Sequence, residues 1–513
     1  MAHCFRRSCA TDAPWIATRG SPVAALLRLR ISRCPLQLNL KKNHYMSTRL
    51  SPLSNMNCDV AVIGGGPGGA ALATFLARAG HRCTIFEQAK FPRYHIGESL
   101  IPHTHGIFER LGLLPQLRAS CFPVKHSVRF VSHNGKESVP FYFSETIHGE
   151  RARTWQVERS QFDCMMLDHA RANGVEIHEQ ISIDKVIFEN AQAAGLQVVS
   201  GDGSRADVSA KVVVDASGRA CVIGRQLGLR SPLPELRKAS VWGYFRGGKR
   251  LPGIDAGETT MFLIPGGGWF WYIPLPDDIV SVGIVADPEY VFLLSDDMED
   301  AFTREVALCA PLADRLSAAE RVGPVRGSRH LAYLNRQTCG DGWVMIGDAR
   351  AFLDPIYSSG LYLALGSAEL AAQCIDDALK NDDVSAARLG RFEPALWKGV
   401  DVVRRLIHAF YDPAFSFPKF AERFPEHRAA LIDCLVGDVI KDMSAFTAAL
   451  AQMTPPPPAV GLQHREIVRT DPGRGAERLR ASKFMIIGPK QESPGAGFKT
   501  NLHWEKTTDL KSL

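Results

Sequence analysis

A glycine-rich turn between a buried strand and a helix constrains the fold of this chain most strongly. Residues 60–63 are apolar and predict a strand, and residues 70–79 have the apolar periodicity of a helix. Between them, Gly64 suits a tight turn, Gly66 lets a pyrophosphate approach the backbone, and Gly69 lets the helix pack close to the strand. The helix N-terminus would face the phosphates. The pattern therefore predicts a dinucleotide-binding unit rather than an ordinary turn.

A second strand is predicted next to the first and ends in an acidic residue. Residues 83–86 are the strand and Glu87 follows it. A carboxylate about twenty residues beyond the glycine turn accepts hydrogen bonds from the ribose of the adenosine half of a dinucleotide. Glu87 is therefore a candidate cofactor-binding residue.

Two later segments favour FAD over NAD. Residues 344–346 predict a short strand followed by Gly347 and Asp348, and a long helix is predicted from about residue 358 to 379. An aspartate at a strand end can hydrogen-bond the ribityl and phosphate region, and a helix N-terminus offers N–H groups to an anion or to the flavin. Residues 212–214 predict another buried strand, which ends at Asp215. Taken alone, Gly347 and Asp348 would indicate only a surface turn.

Two tryptophans share one face of a predicted sheet. Turn-forming residues at 266–268 and 276–278 divide residues 259–285 into a three-stranded meander with strands 259–264, 269–274 and 279–285. Strand alternation then places Trp269, Trp271 and Ile273 on the same face. In an arbitrary protein such tryptophans are most often core residues.

With these motifs in this order, the chain resembles the flavin-dependent halogenases, which belong to the FAD-dependent aromatic hydroxylases. The resemblance spans about residues 59–453, and the Trp-x-Trp-x-Ile-Pro element is its specific part. It implies an α/β (α+β) fold, in which a Rossmann-like FAD-binding domain is interleaved with an antiparallel-sheet substrate domain and followed by a C-terminal helical region. The segments that carry the resemblance are residues 64–69, 91–99, 215–218, 269–274 and 354–360.

The resemblance also implies how the reaction is divided within the protein. Trp269 and Trp271 would form a barrier between flavin and substrate, so that a small oxidant has to travel between them. Reduced flavin and O2 would convert a halide to hypohalous acid, and Lys125 would hydrogen-bond this acid or hold its halogen as a haloamine. Backbone N–H groups of Ser359 and Gly360 would bind the halide. Arg93, just before the Gly-Glu-Ser turn, belongs to the predicted FAD-binding set.

One departure from the family pattern narrows the predicted class of aromatic substrate. Members that act on free tryptophan carry a glutamate immediately before a Ser-Thr-Gly element, whereas this chain has Tyr357 there. The resemblance is therefore closer to members that halogenate phenols, pyrroles or other natural-product precursors, free or tethered to a carrier protein. A role for Tyr357 in packing explains the residue equally well.

Composition adds predictions about compartment and partners. The 12 cysteines show no metal-type spacing, which favours reduced thiols, a cytoplasmic location and no metal site. No apolar run is long enough for a membrane span, and we expect no nucleic-acid partner. Since there is one dinucleotide fingerprint, a separate NAD(P)H-dependent flavin reductase would supply reduced FAD.

The ends of the chain are predicted to lie outside the enzyme core. The net charge of +6 is uneven, because residues 1–56 hold nine basic residues and the single acid Asp12. This segment resembles a transit peptide, although an over-early start, with Met46 or Met56 as the true one, is the favoured alternative. We expect disorder in 1–56 and in the tail 454–513. Between them, the FAD-binding part would comprise about 57–120, 150–235 and 325–390, the substrate part 121–149 and 236–324, and the C-terminal helices 391–453.

Three rival functions share most of these motifs. A single-component aromatic hydroxylase would lack only the tryptophan barrier and the lysine. A flavin-dependent reductase or dehydrogenase acting on a lipid-like substrate would need no halide. A flavoprotein that serves as a binding or scaffold module would need neither the glycines nor Lys125.

Overall fold

The computed structural model describes residues 56–265, 267–329 and 331–459. Disorder was predicted for residues 1–56 and 454–513, of which residues 1–55 and 460–513 lie outside the described residues. Thr454, at the start of the predicted tail, is buried and donates to Asp412 at 2.6 Å. The strands are β1 (Asn57–Ile63), β2 (Cys83–Glu87), β3 (Val124–Lys125), β4 (Ser127–Val131), β5 (Phe141–Tyr142), β6 (Thr154–Trp155), β7 (Glu176–Glu179), β8 (Ile181–Glu189), β9 (Gln192–Ser200), β10 (Arg205–Asp215), β11 (Arg230–Pro232), β12 (Ala239–Arg246), β13 (Thr259–Ile264), β14 (Gly268–Pro274), β15 (Ile279–Ala286), β16 (Glu320–Ser328), β17 (Tyr333–Asn335), β18 (Cys339–Gly340), β19 (Trp343–Met345) and β20 (Ala351–Phe352). The helices are α1 (Pro67–Arg78), α2 (Thr104–Leu111), α3 (Leu114–Ala119), α4 (Arg159–Ala172), α5 (Val222–Gln226), α6 (Pro288–Val291), α7 (Met298–Leu308), α8 (Ala310–Arg315), α9 (Ser359–Lys380), α10 (Ala386–Leu389), α11 (Glu393–Tyr411), α12 (Phe417–Arg423), α13 (Arg428–Val436) and α14 (Ser444–Leu450).

The apolar runs predicted as buried strands form the centre of one sheet. Its main order is β18-β19-β10-β1-β2-β7, with β19, β10, β1, β2 and β7 parallel, and the antiparallel strands β9 and β8 extend from β10. Continuous apolar strands are typical of a parallel sheet that is covered on both faces. The helix after the glycine turn begins at Pro67, earlier than predicted, because proline is well suited to the first turn of a helix. The predicted α/β architecture is confirmed.

The tryptophan motif lies in a second sheet, ordered β16-β12-β15-β14-β13-β4-β5. The predicted meander is confirmed, since β13, β14 and β15 pair antiparallel in sequence order. Trp269, Trp271 and Ile273 contribute to the largest apolar cluster, whereas Phe270 and Tyr272 pack in a separate cluster on the other face. Strand alternation thus places the two indoles on the face that packs into the apolar cluster shared with the sheet of β1.

The C-terminal helices cover this shared core. Within the helical region predicted at 428–453 the chain forms α13 and α14, and α13 is followed by Gly437 with φ +92°. A glycine in the left-handed region is a common helix terminator. One apolar cluster contains Val60 of β1, Trp269 of β14, and Leu406 and Phe446 of the C-terminal helices. The regions around the site therefore share a single core.

Candidate active site

The glycine turn has the geometry of a cradle for phosphate groups. Gly64 has φ +100°, and a Cβ there would lie 2.7 Å from the carbonyl oxygen of Ala216. A Cβ on Gly69 would overlap the carbonyl oxygen of Gly64. A Cβ on Gly66 would meet only the Arg93 side chain, at 3.5 Å. Gly66 thus leaves the backbone open at the start of α1, and the turn fits the pyrophosphate of a dinucleotide.

Glu87 is buried at the end of β2 and held by backbone donors. Its Oε2 accepts from the N–H of Gly65 at 2.8 Å, and its Oε1 accepts from the N–H of Ala89 at 2.8 Å. Each carboxylate oxygen has a further lone pair available for a ribose hydroxyl. Arg93 lies 4.0 Å from Glu87 and donates to Asp163 at 3.0 Å. The structure therefore brings Gly66, Glu87 and Arg93 into one region.

Asp215 and Asp348 lie in the neighbouring turns, in different environments. The Asp215 carboxylate accepts from the N–H of Ser217 at 3.0 Å and of Ile223 at 2.7 Å, so it stabilises its own turn. A direct contact with a cofactor stays a prediction. Burial raises the pKa of Asp348 to about 6, against the opposing effects of Arg219 and Arg159.

Gly347, just before Asp348, packs against α9. Its φ is +54°, and a Cβ there would lie 3.0 Å from the Cβ of Ala364. The strand end and the long helix are therefore in close contact, as the sequence order of these motifs would require for a shared cofactor site.

Lys125 is fully buried, which distinguishes it from an ordinary surface lysine. It lies on β3 opposite Thr154 of β6. Its Nζ donates to the Ser99 hydroxyl at 2.8 Å and to the carbonyl of Leu100 at 3.2 Å. Burial lowers the pKa of Lys125 to about 7, and Glu258 acts in the opposite direction. Lowering the pKa increases the share of unprotonated amine near neutral pH, and this is the nucleophilic form.

The support for Lys125 extends through residues that sequence reasoning missed. The hydroxyl groups of Ser99 and Thr259 are 3.0 Å apart, and the Gln156 side-chain amide donates to Thr259 at 2.8 Å. Ser99 belongs to the Gly-Glu-Ser motif, which could have drawn attention to it. Thr259 and Gln156 show no motif, because distant parts of the chain bring them to the lysine.

The two tryptophans of the predicted barrier are buried and hydrogen-bonded at their polar edges. The Trp269 indole donates to the Tyr411 hydroxyl at 2.9 Å, and Tyr411 donates to Asp354 at 3.0 Å. The Trp271 indole donates to the Ser281 hydroxyl at 3.0 Å. These bonds fix the rings, whose centroids are 6.2 Å apart.

Glu98 is a second buried group that the sequence analysis did not select. It accepts from the Tyr244 hydroxyl at 2.6 Å and from the Ser281 hydroxyl at 3.3 Å. Burial raises the pKa of Glu98 to about 7. Ser281 also accepts from the Trp271 indole. The turn at residues 97–99 therefore contacts Lys125 through Ser99 and the tryptophan face through Glu98 and Ser281.

The predicted halide-binding residues begin α9. Ser359 is buried, Gly360 is exposed, and Ser358 has φ +53° without a capping side-chain hydrogen bond. The first N–H groups of this long helix are thus not occupied by a side-chain cap. Tyr357 is buried and donates to the carbonyl of Leu406 at 3.3 Å, which favours its packing role.

The described part of the chain contains neither a metal-type cluster nor a membrane-spanning helix. Its histidines, cysteines and acids form no group of three or more that could bind a metal ion. None of its helices has both the length and the hydrophobicity needed to cross a bilayer.

The parallel sheet with its glycine cradle and ribose-type carboxylate defines an FAD-binding protein, and the second sheet adds a buried lysine beside a tryptophan face. Comparison with known proteins agrees with this class. Residues 57–245 match the family model described as FAD binding domain.

Similar proteins identify the family within that class. The chain is 32% identical over 408 residues to a 1H-pyrrole-2-carbonyl-[peptidyl-carrier protein] chlorinase of Pseudomonas fluorescens, covering 75% of this chain and 90% of the relative. Among solved structures, the myxobacterial chondrochloren halogenase CndH matches with a TM-score of 0.67 and 30% identity, over 78% of this chain and 97% of that one. The flavin-dependent brominase Bmp2 matches with a TM-score of 0.71 and 27% identity, over 77% and 98%.

The chain therefore belongs to the flavin-dependent halogenases. It is an FAD-dependent enzyme that uses reduced flavin, a halide and O2 to halogenate an aromatic substrate.

Proposed function

We propose that this enzyme installs chloride or bromide on a phenolic or pyrrolic ring and that Lys125 passes the halogen to that ring. The observation that carries the proposal is the burial of Lys125, whose amine is held by Ser99 and has a pKa of about 7. An unprotonated amine can accept an electrophilic halogen or hydrogen-bond hypohalous acid. A fully protonated surface lysine would accept an electrophilic halogen poorly.

The residues of the glycine cradle fit FAD and would hold it at the first sheet. Gly64, Gly66 and Gly69 would receive the pyrophosphate, Glu87 the ribose, and Arg93 would support this end of the cofactor. We place Asp215, Gly347 and Asp348 along the remainder of the cofactor. When bound and reduced, FAD supplies the electrons with which O2 and halide give hypohalous acid.

The protein's own contribution is separation and positioning. Trp269 and Trp271 would form the barrier between flavin and substrate, and N–H groups of Ser359 and Gly360 would hold the halide. The amine of Lys125 would then keep the oxidant at a fixed place, which favours one ring position over free diffusion. Apolar side chains around the passage between flavin and substrate would limit loss of the hypohalous acid to bulk water.

Two features support the substrate class. The P. fluorescens relative is named for a pyrrole-2-carbonyl group on a peptidyl carrier protein. In this chain Tyr357, whose hydroxyl is bonded to the Leu406 carbonyl, occupies the place of an activating glutamate. A phenol or pyrrole is electron-rich without such a group. We accordingly propose a small aromatic substrate, free or tethered to a carrier, and a separate NAD(P)H-dependent flavin reductase as partner.

The test combines the purified protein with FAD, a flavin reductase, NADH and chloride or bromide. A panel of phenols and pyrroles, including a carrier-tethered pyrrole, is analysed by mass spectrometry for the halogen isotope pattern. Halogenated product that depends on the reductase is the expected result. NADH consumption by the protein alone, with hydroxylated product, would favour a single-component hydroxylase.

Lys125→Ala tests the assigned role directly. We expect this variant to bind FAD and to reoxidise it with O2 while giving no halogenated product, because the oxidant loses its amine. Lys136→Ala, at an exposed lysine, is the matched control and should behave as wild type. Normal product formation by Lys125→Ala would show that the lysine has no part in halogen transfer.

A further inference from the structure

A line of hydroxyl groups connects the protein surface to Glu98. Tyr94 is 46% exposed, and its hydroxyl lies 3.1 Å from that of Tyr244. Tyr244 donates to Oε1 of Glu98 at 2.6 Å. The contact between the tyrosines is exposed, the next bond is partly buried, and Glu98 itself is 3% exposed. Two hydrogen bonds therefore connect the exposed Tyr94 hydroxyl to the buried Glu98 carboxyl group.

The hydrogen atoms along this line have a defined direction. The Trp242 indole, which can only donate, donates to the Tyr94 hydroxyl at 2.6 Å. Tyr244 has one hydroxyl hydrogen, which Glu98 receives, so Tyr94 has to donate to Tyr244. The donors consequently all point toward the carboxyl group.

Burial favours the protonated form of Glu98, whereas its two hydrogen-bond donors and Arg159 favour the carboxylate. Tyr244 of β12 and Ser281 of β15 face it as neutral donors, and Arg159 and Glu158 at the start of α4 are the charged groups around it. Arg159 is itself paired with Asp163, with contacts of 2.8 and 3.0 Å. Burial then dominates and raises the pKa of Glu98 to about 7.

Halogenation consumes a proton that this group could supply. An aromatic C–H, a halide ion, O2, reduced flavin and one proton give the carbon–halogen bond, oxidised flavin and two waters. Arg159 donates to the carbonyl of Gly97, next to Glu98, at 3.2 Å and to Asp163 at 3.0 Å, and Asp163 also accepts from Arg93 at 3.0 Å. Glu98 therefore lies beside a residue of the predicted FAD-binding set.

We propose that Glu98 is the proton donor of the reaction and that Tyr244 and Tyr94 restore its proton from water. The proposal rests on the proposed function. In each cycle Glu98 releases its carboxyl proton to the oxygen that is being reduced. Tyr244 passes its hydroxyl proton to Oε1 and takes that of Tyr94, which takes one from water. Every O–H bond broken along the line is matched by one formed, and the oxidant is the O2 of the overall reaction.

The first experiment uses the ligand-free protein and needs no turnover. Infrared difference spectra across neutral pH should contain the C=O stretch of a protonated carboxyl group that disappears as pH rises through about 7. The band should be missing in Glu98→Gln and shifted in Tyr244→Phe, which loses a hydrogen bond to it. Identical spectra in wild type and Glu98→Gln would overturn the proposal.

The second experiment measures steady-state halogenation with the reductase present. Glu98→Gln should lower kcat by about 10²–10⁴-fold, the usual range for loss of a general acid. Tyr244→Phe and the surface variant Tyr94→Phe should lower it less, because water can partly replace them. The wild-type kcat should fall above about pH 7, where Glu98 loses its proton, and this fall should be absent in Glu98→Gln.

The control is Tyr272→Phe, which removes a buried hydroxyl from the opposite face of β14, where it donates to the Lys249 carbonyl at 3.0 Å. All variants should bind FAD as tightly as wild type. If wild type halogenates and the three variants match Tyr272→Phe, the relay is wrong while the proposed function stands. If wild type gives no halogenated product, the proposed function fails, and the infrared band alone decides whether Glu98 holds a proton.

Discussion

The buried Lys125 destabilises the folded protein at low pH, where its amine is protonated. Its ammonium form is buried with only the Ser99 hydroxyl and the Leu100 carbonyl as acceptors. The pKa is about 7 in the folded state and 10.5 in its ordinary environment. Between these values the unfolded chain binds more protons, so stability rises with pH from 7 to 10.5 and the full penalty applies below 7.

Lys125→Met should therefore raise the free energy of unfolding, by a few kcal/mol below pH 7, because it removes a buried charge while keeping the apolar stem. The gain should shrink between pH 7 and 10.5. Urea unfolding at several pH values, with exposed Lys136→Met as control, measures this. A gain that does not change with pH would mean that the amine has the same pKa in the folded and unfolded states, as a solvated lysine would.

At the scale of elements, β15 makes room for the tryptophan face. Gly283 lies opposite Trp271 in the β14–β15 pair, and a Cβ there would overlap the indole ring. Gly243 on β12 is also in the sheet, but its Cβ would meet nothing nearer than Phe302, at 3.7 Å. The two strand glycines thus differ in whether the packing of Trp271 depends on them.

Gly283→Ala should cost about 1–3 kcal/mol through overpacking and should displace Trp271. We expect a lower Tm and a changed tryptophan emission spectrum, with weaker coupling of flavin oxidation to halogenation because the barrier is disturbed. Gly243→Ala should leave the Tm, the tryptophan emission spectrum and the coupling close to wild type. Equal behaviour of the two variants would show that the space beside Trp271 is not needed.

At the scale of the whole molecule, one core joins regions that the sequence suggested as separate parts. Val60 of the first sheet, Trp269 of the second, and Phe446 of α14 belong to the same apolar cluster. Apolar burial shared among regions makes their unfolding cooperative. The boundaries predicted for the FAD-binding and substrate parts remain predictions.

We therefore expect a single unfolding transition, seen alike by far-UV circular dichroism, tryptophan emission and calorimetry. FAD should raise the Tm of that whole transition, because it binds only the folded state. Two resolved transitions, with FAD shifting just one of them, would contradict a shared core. The same measurement on Tyr94→Phe, a surface change outside the core, serves as control.

The sequence by itself determined the features whose causes are local. Gly64 adopts the positive φ that favours glycine, and Gly69 packs on the carbonyl of Gly64 within the same turn. Strand periodicity places Trp269 and Trp271 on one face. Lys125 was selected by family resemblance, without any local sign that it would be buried.

Only the tertiary structure decided what surrounds the reactive groups. Ser99 and Thr259 are separated by 160 positions, and Tyr94 and Tyr244 by 150, yet each pair shares a hydrogen bond. Hydrogen bonds and burial depend on which distant strands become neighbours, and residue spacing along the chain does not specify that. The pKa of Lys125 and of Glu98 follows from this packing alone.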